Sequence, residues 1–219
     1  MGRFTIPPLS RLFALSDEQA MWRVQHENDH RAFTQLVERW EGPIRDLCIR
    51  MIGDVHRGED LKQVAFARVF EKRNHYQHGS RFSTWLWRIA LNVCYDELRR
   101  RRRRSELSFD EESEEALANL GAEPADEPAP DAQAAALEEG ELVRQALMKL
   151  PEIYRTVLVL RHYEDLKLSK IAEILEIPEG TVGSRLAEGL ARLARLLEPR
   201  LRDTKTDRPV HRLKELNVL

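Results

Sequence analysis

The chain of 219 residues is predicted to be all-α, with two small helical domains joined by a flexible acidic linker. Three observations lead to this prediction. Apolar residues recur at intervals of three and four on both sides of the linker, as expected for helices packed on one face. No run alternates apolar and polar residues for long enough to predict a strand. Residues 105–141 contain no lysine or arginine and too few large apolar residues to bury a core.

The domain boundaries follow from this change in composition. Residues 17–104 and 142–198 are called the first and second modules here, and residues 105–141 are the linker. The last residues, 199–219, are mixed in charge, and neither they nor residues 1–16 receive a role. A module of roughly 60 to 85 residues buries only a small core, so docking to a partner is expected to add order.

The nearly neutral total charge of -2 hides an uneven distribution. Residues 1–104 hold 20 basic and 13 acidic residues, residues 105–141 hold none and 13, and residues 142–219 hold 15 and 11. Two basic modules joined by an acidic tether favour nucleic-acid binding. The linker is either a self-repelling spacer or an acidic strand that occupies a basic channel in a partner or masks the protein's own basic surfaces.

In the first module, three amphipathic runs predict helices. They are Ala32–Trp40, Ile44–Ile52 and Leu61–Phe70. Glycine and proline predict the breaks between and after them. The predicted breaks lie at Gly42-Pro43, Gly53, Gly58 and Gly79.

A stretch of aromatic and basic residues follows, from Phe82 to Arg104. It ends in six consecutive arginines, Arg99–Arg104. Rings offer stacking surfaces to unpaired bases, and guanidinium groups neutralise phosphates. Phe82 also fits the buried stripe of an amphipathic helix, whereas Trp85 and Arg88 fall off that stripe. Trp85 and Arg88 are therefore the stronger candidates for contact.

In the second module, Leu168–Leu197 has the spacing of a helix-turn-helix. Ser169 is predicted to cap the first helix, and Pro178 marks the break. Inward-facing apolar residues then recur at Val182, Leu186, Leu190, Leu193 and Leu197. The opposite face is the candidate DNA-contacting surface and presents Thr181, Ser184, Arg185 and Glu188. A plain helical hairpin is the alternative.

Nothing in the sequence predicts catalysis, a cofactor or a metal. Two histidine pairs lack a clear third ligand, so solvated histidines are the simpler interpretation. They are His26 with His30 and His75 with His78. Cys48 and Cys94 are isolated in apolar stretches, which predicts buried, reduced thiols. The sequence contains no apolar span long enough to insert into a membrane, and no signal peptide is evident. A cytoplasmic protein is therefore expected.

Together, the motifs of the two modules resemble those of the extracytoplasmic-function (ECF) sigma factors of bacterial RNA polymerase. The matching residues in the first module are Ala32-Phe33 to Trp40, Glu59–Gln63 to Phe70, Phe82–Asn92 and Asp96–Leu98. Those in the second are Leu150-Pro151, Tyr154-Arg155, Val157–Arg161, Ile171–Leu175, Ile177–Val182 and Ser184–Leu186. The resemblance covers about residues 17–197, in the order of the family.

The resemblance implies contact with core polymerase through the helix from Asp60 to Phe70, which in the family docks on the clamp helices of the largest subunit. The residues assigned to this contact are Asp60, Gln63, Phe66 and Phe70. One departure is Val64, since the family usually has an acidic residue after the glutamine.

The resemblance also implies two contacts with promoter DNA. The minus-ten element would be recognised and melted by Gly79, Ser80, Arg81, Phe82, Trp85, Arg88, Asn92, Arg99 and Arg100. The minus-thirty-five element would meet the helix that carries Thr181, Ser184, Arg185 and Glu188. Family members commonly have basic residues on that helix where this chain has Gly183, Ala187, Glu188 and Gly189. Weak or atypical recognition of the upstream element is therefore expected.

The implied partners are core RNA polymerase and promoter DNA, and an anti-sigma protein is common in the family. Two other functions fit parts of the sequence. A stand-alone helix-turn-helix regulator would explain Leu168–Leu197 but not the pattern from Asp60 to Arg104. A sigma-like protein-interaction adaptor without DNA recognition would explain Gly183 and Glu188.

Overall fold

The structure is a computed structural model that describes residues 15–108 and 131–203, with side chains described for 15–106 and 140–198. These ranges contain eight α-helices and no strand, which confirms the all-α prediction. The first module contains α1 (Asp17–His26), α2 (His30–Ile52), α3 (Val55–Glu71) and most of α4 (Phe82–Ser108). The second contains the end of α5 (Asp131–Met148), then α6 (Glu152–Leu158), α7 (Leu168–Leu175) and most of α8 (Glu179–Asp203).

The break predicted at Gly42-Pro43 is wrong, because α2 is one helix of 23 residues that passes through Pro43. Proline removes one backbone hydrogen bond from a helix. Leu36 and Ile44, on either side of it, are both fully buried. Packing of the apolar face on both sides of Pro43 therefore outweighs the local preference to stop, as tertiary contacts supply most helical stability in proteins.

The two glycines near the α2–α3 junction have different roles. Gly53 ends α2 in the left-handed conformation, with φ of 76°, and its N–H donates to the carbonyl of Ile49 at 2.7 Å. Gly58, predicted as a break, lies inside α3. A Cβ at Gly58 would stand 2.9 Å from the backbone of Ile49. Gly58 therefore permits a close crossing of α2 and α3 and does not interrupt a helix.

The two cysteines are not isolated in space. Cys48 on α2 and Cys94 on α4 are both fully buried, and their sulfur atoms lie 3.7 Å apart. Both are free thiols. A hydrogen bond to Cys48 and burial raise the pKa of Cys94 well above its usual value, which keeps the thiol protonated and unreactive.

The second module is organised around the buried side chain of Arg155 on α6. Its guanidinium donates to the carbonyl oxygens of Leu147 at 3.1 Å, Met148 at 2.7 Å and Leu150 at 2.9 Å. These carbonyls lie at the end of α5, where a helix leaves its last acceptors unsatisfied. A fourth bond, 2.6 Å long, reaches the carbonyl of Met51 on α2. Arg155 thus caps one helix and joins the two modules.

The helix-turn-helix consists of α7 and α8. The predicted cap at Ser169 is wrong, because Ser169 lies inside α7, which begins at Leu168. The cap position is Lys167, in extended conformation, and no side chain donates or accepts a capping hydrogen bond there. Glu176 ends α7 with φ of 56°, and α8 starts after Pro178. Val182 is buried on the inner side of α8, as predicted.

Helical structure extends into both ends of the predicted linker. Helix α4, before the linker, ends at Ser108, and helix α5, after it, begins at Asp131. Helix α8 likewise continues to Asp203, inside the segment predicted as a C-terminal extension. Residues 1–14, 109–130 and 204–219 lie outside the described residues.

Candidate nucleic-acid interface

The loop before α4 is held by its own hydrogen bonds. Tyr76 is buried, and its hydroxyl donates to the carbonyl of Ser80 at 2.6 Å. The Ser80 hydroxyl and the amide of Gly79 both donate to the carbonyl of Gln77, at 3.0 and 2.9 Å. Gly79, Ser80 and Arg81 are nevertheless exposed. The loop therefore presents a small-residue surface that is already ordered.

Three aromatic rings lie beneath this loop. The ring centroid of Tyr76 lies 6.1 Å from that of Phe82 and 5.3 Å from that of Trp85. Burial, with the charges of Glu18 and Asp17, raises the pKa of Tyr76 to about 12, so its hydroxyl remains a donor. Phe82 is 0% exposed, so its predicted contact with a base is corrected to a packing role. Trp85 is half-buried.

The remaining predicted minus-ten residues on α4 differ in accessibility. Asn92 and the two arginines near the end of the helix, Arg99 and Arg100, are exposed. Arg99 pairs with Asp96 at 2.6 Å, and its side chain is still 68% exposed. These three side chains can reach a ligand without rearrangement of the fold.

Arg88, by contrast, contacts the helix-turn-helix. It donates to the carbonyl of Glu173 at 2.5 Å and pairs with the carboxylate of Glu176 at 2.6 Å. Thr84, which is buried on the same side of α4, donates to the Glu173 carboxylate at 2.8 Å, and Lys170 donates to Thr84. Helix α7 thus covers part of the face of α4 that is predicted to meet DNA. Sequence reasoning did not identify Thr84 or these acids, because the contact joins residues more than 80 positions apart.

A second contact between the modules involves Glu164, which follows a π-helical turn, Val159–Tyr163. Its carboxylate lies 3.4 Å from the guanidinium of Arg50, and the side chain is 8% exposed. Arg50 also lies over the ring of Tyr163, 4.4 Å from the centroid. Burial raises the pKa of Glu164 to about 7, a rise that Arg50 opposes and Asp46 reinforces.

The stability of the folded state around Glu164 is expected to fall as the pH rises, because the buried side chain must ionise. The pKa of Glu164 is raised above its unfolded value of 4.5, so its contribution to stability is complete below that value and is lost as the pH rises through about 7. Between pH 6 and 8 the loss is about 1 kcal/mol. Glu164→Gln should remove this part of the pH dependence. Free energies of unfolding at both pH values measure it, with the exposed Glu179→Gln as the control. Parallel pH profiles for wild type and Glu164→Gln would contradict the assignment.

The predicted polymerase-binding helix, α3, exposes only part of the assigned set. Asp60 is 60% exposed, and Gln63 and Val64 are also exposed. Phe66 is 7% exposed and belongs to the core, so its assignment to the interface is corrected. Phe70 is half-buried against other side chains of the module. Its ring faces Phe33, His30 and the guanidinium of Arg73.

Asp60 belongs to a charge network that links α3 to α4. Arg57 donates to Asp60 at 3.1 Å and makes two 3.0 Å bonds to Glu97. Burial opposes ionisation of Glu97, but the bonds and charges of Arg57, Arg100 and Arg101 outweigh it and lower its pKa to about 2. Sequence reasoning did not single out Glu97, although arginines three and four residues later were a visible signal.

On α8 the predicted DNA-contacting face is only partly accessible, since Thr181 and Glu188 are half-buried. Ser184 is exposed and donates to the carbonyl of Thr181 at 3.0 Å, and Arg185 is half-buried. Glu188 pairs with Arg192 at 2.6 Å. This pair neutralises part of the negative charge that the sequence placed on the face.

The described residues offer little to a metal or a membrane. Within them, no three potential metal-ligating side chains come together. Among the histidines of the described residues, His26 and His78 have ring centroids 5.4 Å apart. No helix in the described parts of the chain is both long and apolar enough to cross a bilayer.

An exposed loop and arginine-rich helix in one module and a helix-turn-helix in the other define a two-part, all-helical nucleic-acid-binding protein. Family comparison assigns each part. Residues 36–104 match the model of sigma-70 region 2, and residues 140–193 match that of sigma-70 region 4. The chain belongs to the ECF RNA polymerase sigma factors.

Relatives agree with this assignment, and solved structures have a similar fold. The chain is 36% identical to the ECF RNA polymerase sigma factor SigW of Bacillus subtilis, over 78% of this chain and 91% of the relative. It is 34% identical to the RNA polymerase sigma-H factor of Pseudomonas aeruginosa, over 85% and 96%. The fold is similar to CnrH in complex with the cytosolic domain of CnrY, with a TM-score of 0.59, 23% identity and coverage of 84% and 97%. It is also similar to RpoE in complex with the anti-sigma factor NepR from Bartonella quintana, with a TM-score of 0.57, 24% identity and coverage of 76% and 96%.

Proposed function

We propose that this protein binds core RNA polymerase through α3, melts the minus-ten element with the loop before α4 and with α4 itself, and recognises the minus-thirty-five element with α8. The observation that carries the proposal is the ordered, exposed loop of Gly79, Ser80 and Arg81 beside the half-buried ring of Trp85. The proposed division of labour follows the two modules, residues 17–104 and 142–198, with residues 105–141 between them. The proposal needs no enzymatic step.

Melting by capture of bases is energetically reasonable. Unstacking a base requires a few kcal/mol, and stacking on an aromatic ring returns about 1 to 3 kcal/mol. The aromatic cluster below the loop holds Trp85 in place before DNA arrives, so little further ordering is required. Asn92 and the exposed arginines would bind the displaced strand through its bases and phosphates.

Binding both elements requires the modules to separate. The two elements are about 25 base pairs apart, which is roughly 85 Å of duplex. The 22 residues between α4 and α5 span at most about 75 Å when extended. With the modules in contact, Arg88 faces α7, so separation would also release this side chain. The length of the tether and the size of the modules together suffice for the open arrangement.

Transcription with purified components tests the proposal. The protein is incubated with bacterial core polymerase and a library of randomised promoters, and the start regions of the transcripts are sequenced. We expect protein-dependent transcripts that share a minus-ten and a minus-thirty-five element. Specific binding to duplex DNA without any protein-dependent transcript would favour the stand-alone regulator.

Replacing both Asp60 and Gln63 with alanine is expected to weaken binding to core polymerase by about tenfold, because interface energy is concentrated in a few contacts. Both side chains are exposed, so the helical content should not change. The matched control is Gln35→Ala with Glu38→Ala, an exposed amide and acid with the same spacing on α2. Equal affinities for all three proteins would remove α3 from the interface.

The glycine at position 183 offers a test of upstream recognition. Apart from its chain neighbours and the backbone of its own helix, no atom lies within 4 Å of a Cβ built at Gly183, so Gly183→Arg fits and should strengthen α8 by several tenths of a kcal/mol. Together with Glu188→Arg it should steepen the salt dependence of binding to minus-thirty-five duplex by about one unit per added phosphate contact. Glu198→Arg on the same helix controls for charge. Reduced affinity for the minus-thirty-five duplex, both in Gly183→Arg and in the double variant with Glu188→Arg, would mean that Gly183 and Glu188 are adapted to a particular promoter. If neither these variants nor the unmodified protein bound DNA, the alternative of a sigma-like protein-interaction adaptor would be favoured.

An anti-sigma partner and a cytoplasmic location complete the proposal. The RpoE structure that this fold resembles contains an anti-sigma factor. Membership of the family supports both expectations. Co-purification from a bacterial lysate, followed by competition between the captured protein and core polymerase, tests the partner.

A further inference from the structure

A groove of about 690 Å³ lies between α3 and α4, beside the end of α4. Its floor is apolar and contains Leu61, Val64 and Val93. Leu61 and Val93 are buried, whereas Val64 keeps 39% of its surface exposed. Val64 stands where the family usually has an acid, so this chain has an apolar patch at a position that is ordinarily charged.

The walls of the groove are strongly basic. They contain six arginines, Arg57, Arg68, Arg99, Arg100, Arg102 and Arg103. Only three acids line the groove with them, Asp96, Glu97 and Glu106. The groove therefore has a net charge of +3 and an apolar floor, which together suit an acidic peptide that carries an apolar side chain.

The acids are already occupied. Asp96 is shared between Arg68 at 2.8 Å and Arg99 at 2.6 Å. Glu97 lies among arginines of both helices, as described above. Arg103 is exposed and has no hydrogen bond or ion pair to any side chain described in 15–106 or 140–198. Positive charge is thus left uncompensated at the end of the groove nearest Ser108.

The chain itself supplies a matching segment at this end. Residues 109–130 follow directly after α4 and contain eight acidic and no basic residues. Their first seven are Phe109, five acids and one serine. The next two residues are Ala116 and Leu117. Nine extended residues span about 30 Å, and α4 rises about 23 Å from Val93 to Ser108, so residues 109–117 can return along the groove as far as its floor. Its covalent attachment gives it an effective concentration in the millimolar range.

We propose that the groove between α3 and α4 binds residues 109–117 of the same chain, with the carboxylates of residues 110–115 against the arginines of its walls and the Leu117 side chain on the apolar floor. The bound segment competes with DNA phosphates for Arg99 and Arg100. That competition, unlike the docking itself, rests on the proposed function.

Photo-cross-linking tests the docking without DNA or polymerase. The full chain is made with p-benzoylphenylalanine in place of Leu117, irradiated, and mapped by mass spectrometry. The expected product is a link within one chain to the groove floor, at Leu61, Val64 or Val93. Links only to a second copy or to other helices, or no link to α3 and α4, overturn the proposal.

Affinity for a single-stranded oligonucleotide tests the competition. Neutralising the five acids of residues 110–115 should tighten binding by the full chain about tenfold, since the tethered competitor is lost. The matched control neutralises five acids further along, Glu123, Asp126, Glu127, Glu138 and Glu139. An equal gain in both proteins would indicate general repulsion and overturn the competition. A groove cross-link with no gain in either protein leaves the docking established and refutes the DNA contact of Arg99 and Arg100.

Discussion

Replacing Arg155 with methionine is expected to lower the free energy of unfolding by about 3 to 5 kcal/mol. Methionine fills a similar volume, so the change removes the donors without opening a large cavity. Four carbonyl oxygens, at the end of α5 and at Met51, then lose their partner. Each buried acceptor left unsatisfied costs about 1 to 3 kcal/mol, and partial access of water to the site limits the sum.

Denaturation with urea, followed by far-ultraviolet circular dichroism, measures this effect. The matched control is Arg195→Met, because Arg195 is exposed on α8, and its change should stay within about 0.5 kcal/mol. A loss no larger for Arg155→Met than for the control would mean that water satisfies these carbonyls equally well.

Trp85→Ala is expected to slow open-complex formation on duplex promoters by about ten- to a hundredfold. The reason is the loss of a stacking surface worth about 1 to 3 kcal/mol per base. Templates already mismatched at the minus-ten element should lose much less, because their bases need no unstacking. Permanganate reactivity of exposed thymines, followed over time with core polymerase, gives both rates.

Two further proteins separate stacking from folding in this experiment. Trp85→Phe keeps an aromatic ring and should retain most of the activity. Trp22→Ala removes a more exposed ring that stacks on His26 at 4.9 Å, outside the loop, and should have little effect. Equal losses on duplex and mismatched templates would point to disruption of the cluster with Tyr76 and Phe82 rather than to a lost base contact.

Much of the candidate site was visible in the sequence, because the residues concerned are local. The exposed loop at Gly79 and the outer face of α8 are set by neighbouring residues in the chain. Accessibility was harder to predict. Phe66 and Phe82 carry rings suited to binding, but each falls on the buried side of its helix. How much of each ring remains exposed depends on the neighbours that pack against it.

The contacts between modules could not be predicted. Arg155 is a charged residue in an apolar run, which is a visible anomaly. Its partners, however, come from two segments, residues 147–150 and Met51 on α2, and the run itself does not indicate them. Arg88 was expected at DNA and instead meets Glu173 and Glu176 of α7 in this arrangement. Such pairings depend on how two helical units pack, and local pattern carries no information about that.

The sequence by itself determined the helical class, the two modules, the acidic segment between them and the break at Gly53, since periodicity, charge and a left-handed turn act over a few residues. Only the tertiary structure decided that α2 continues through Pro43, that Gly58 marks a helix crossing and that Cys48 meets Cys94. Each of these depends on burial against a distant segment. A local preference is worth about 1 kcal/mol for glycine and about 3 kcal/mol for proline, and the packing of a whole apolar face exceeds both.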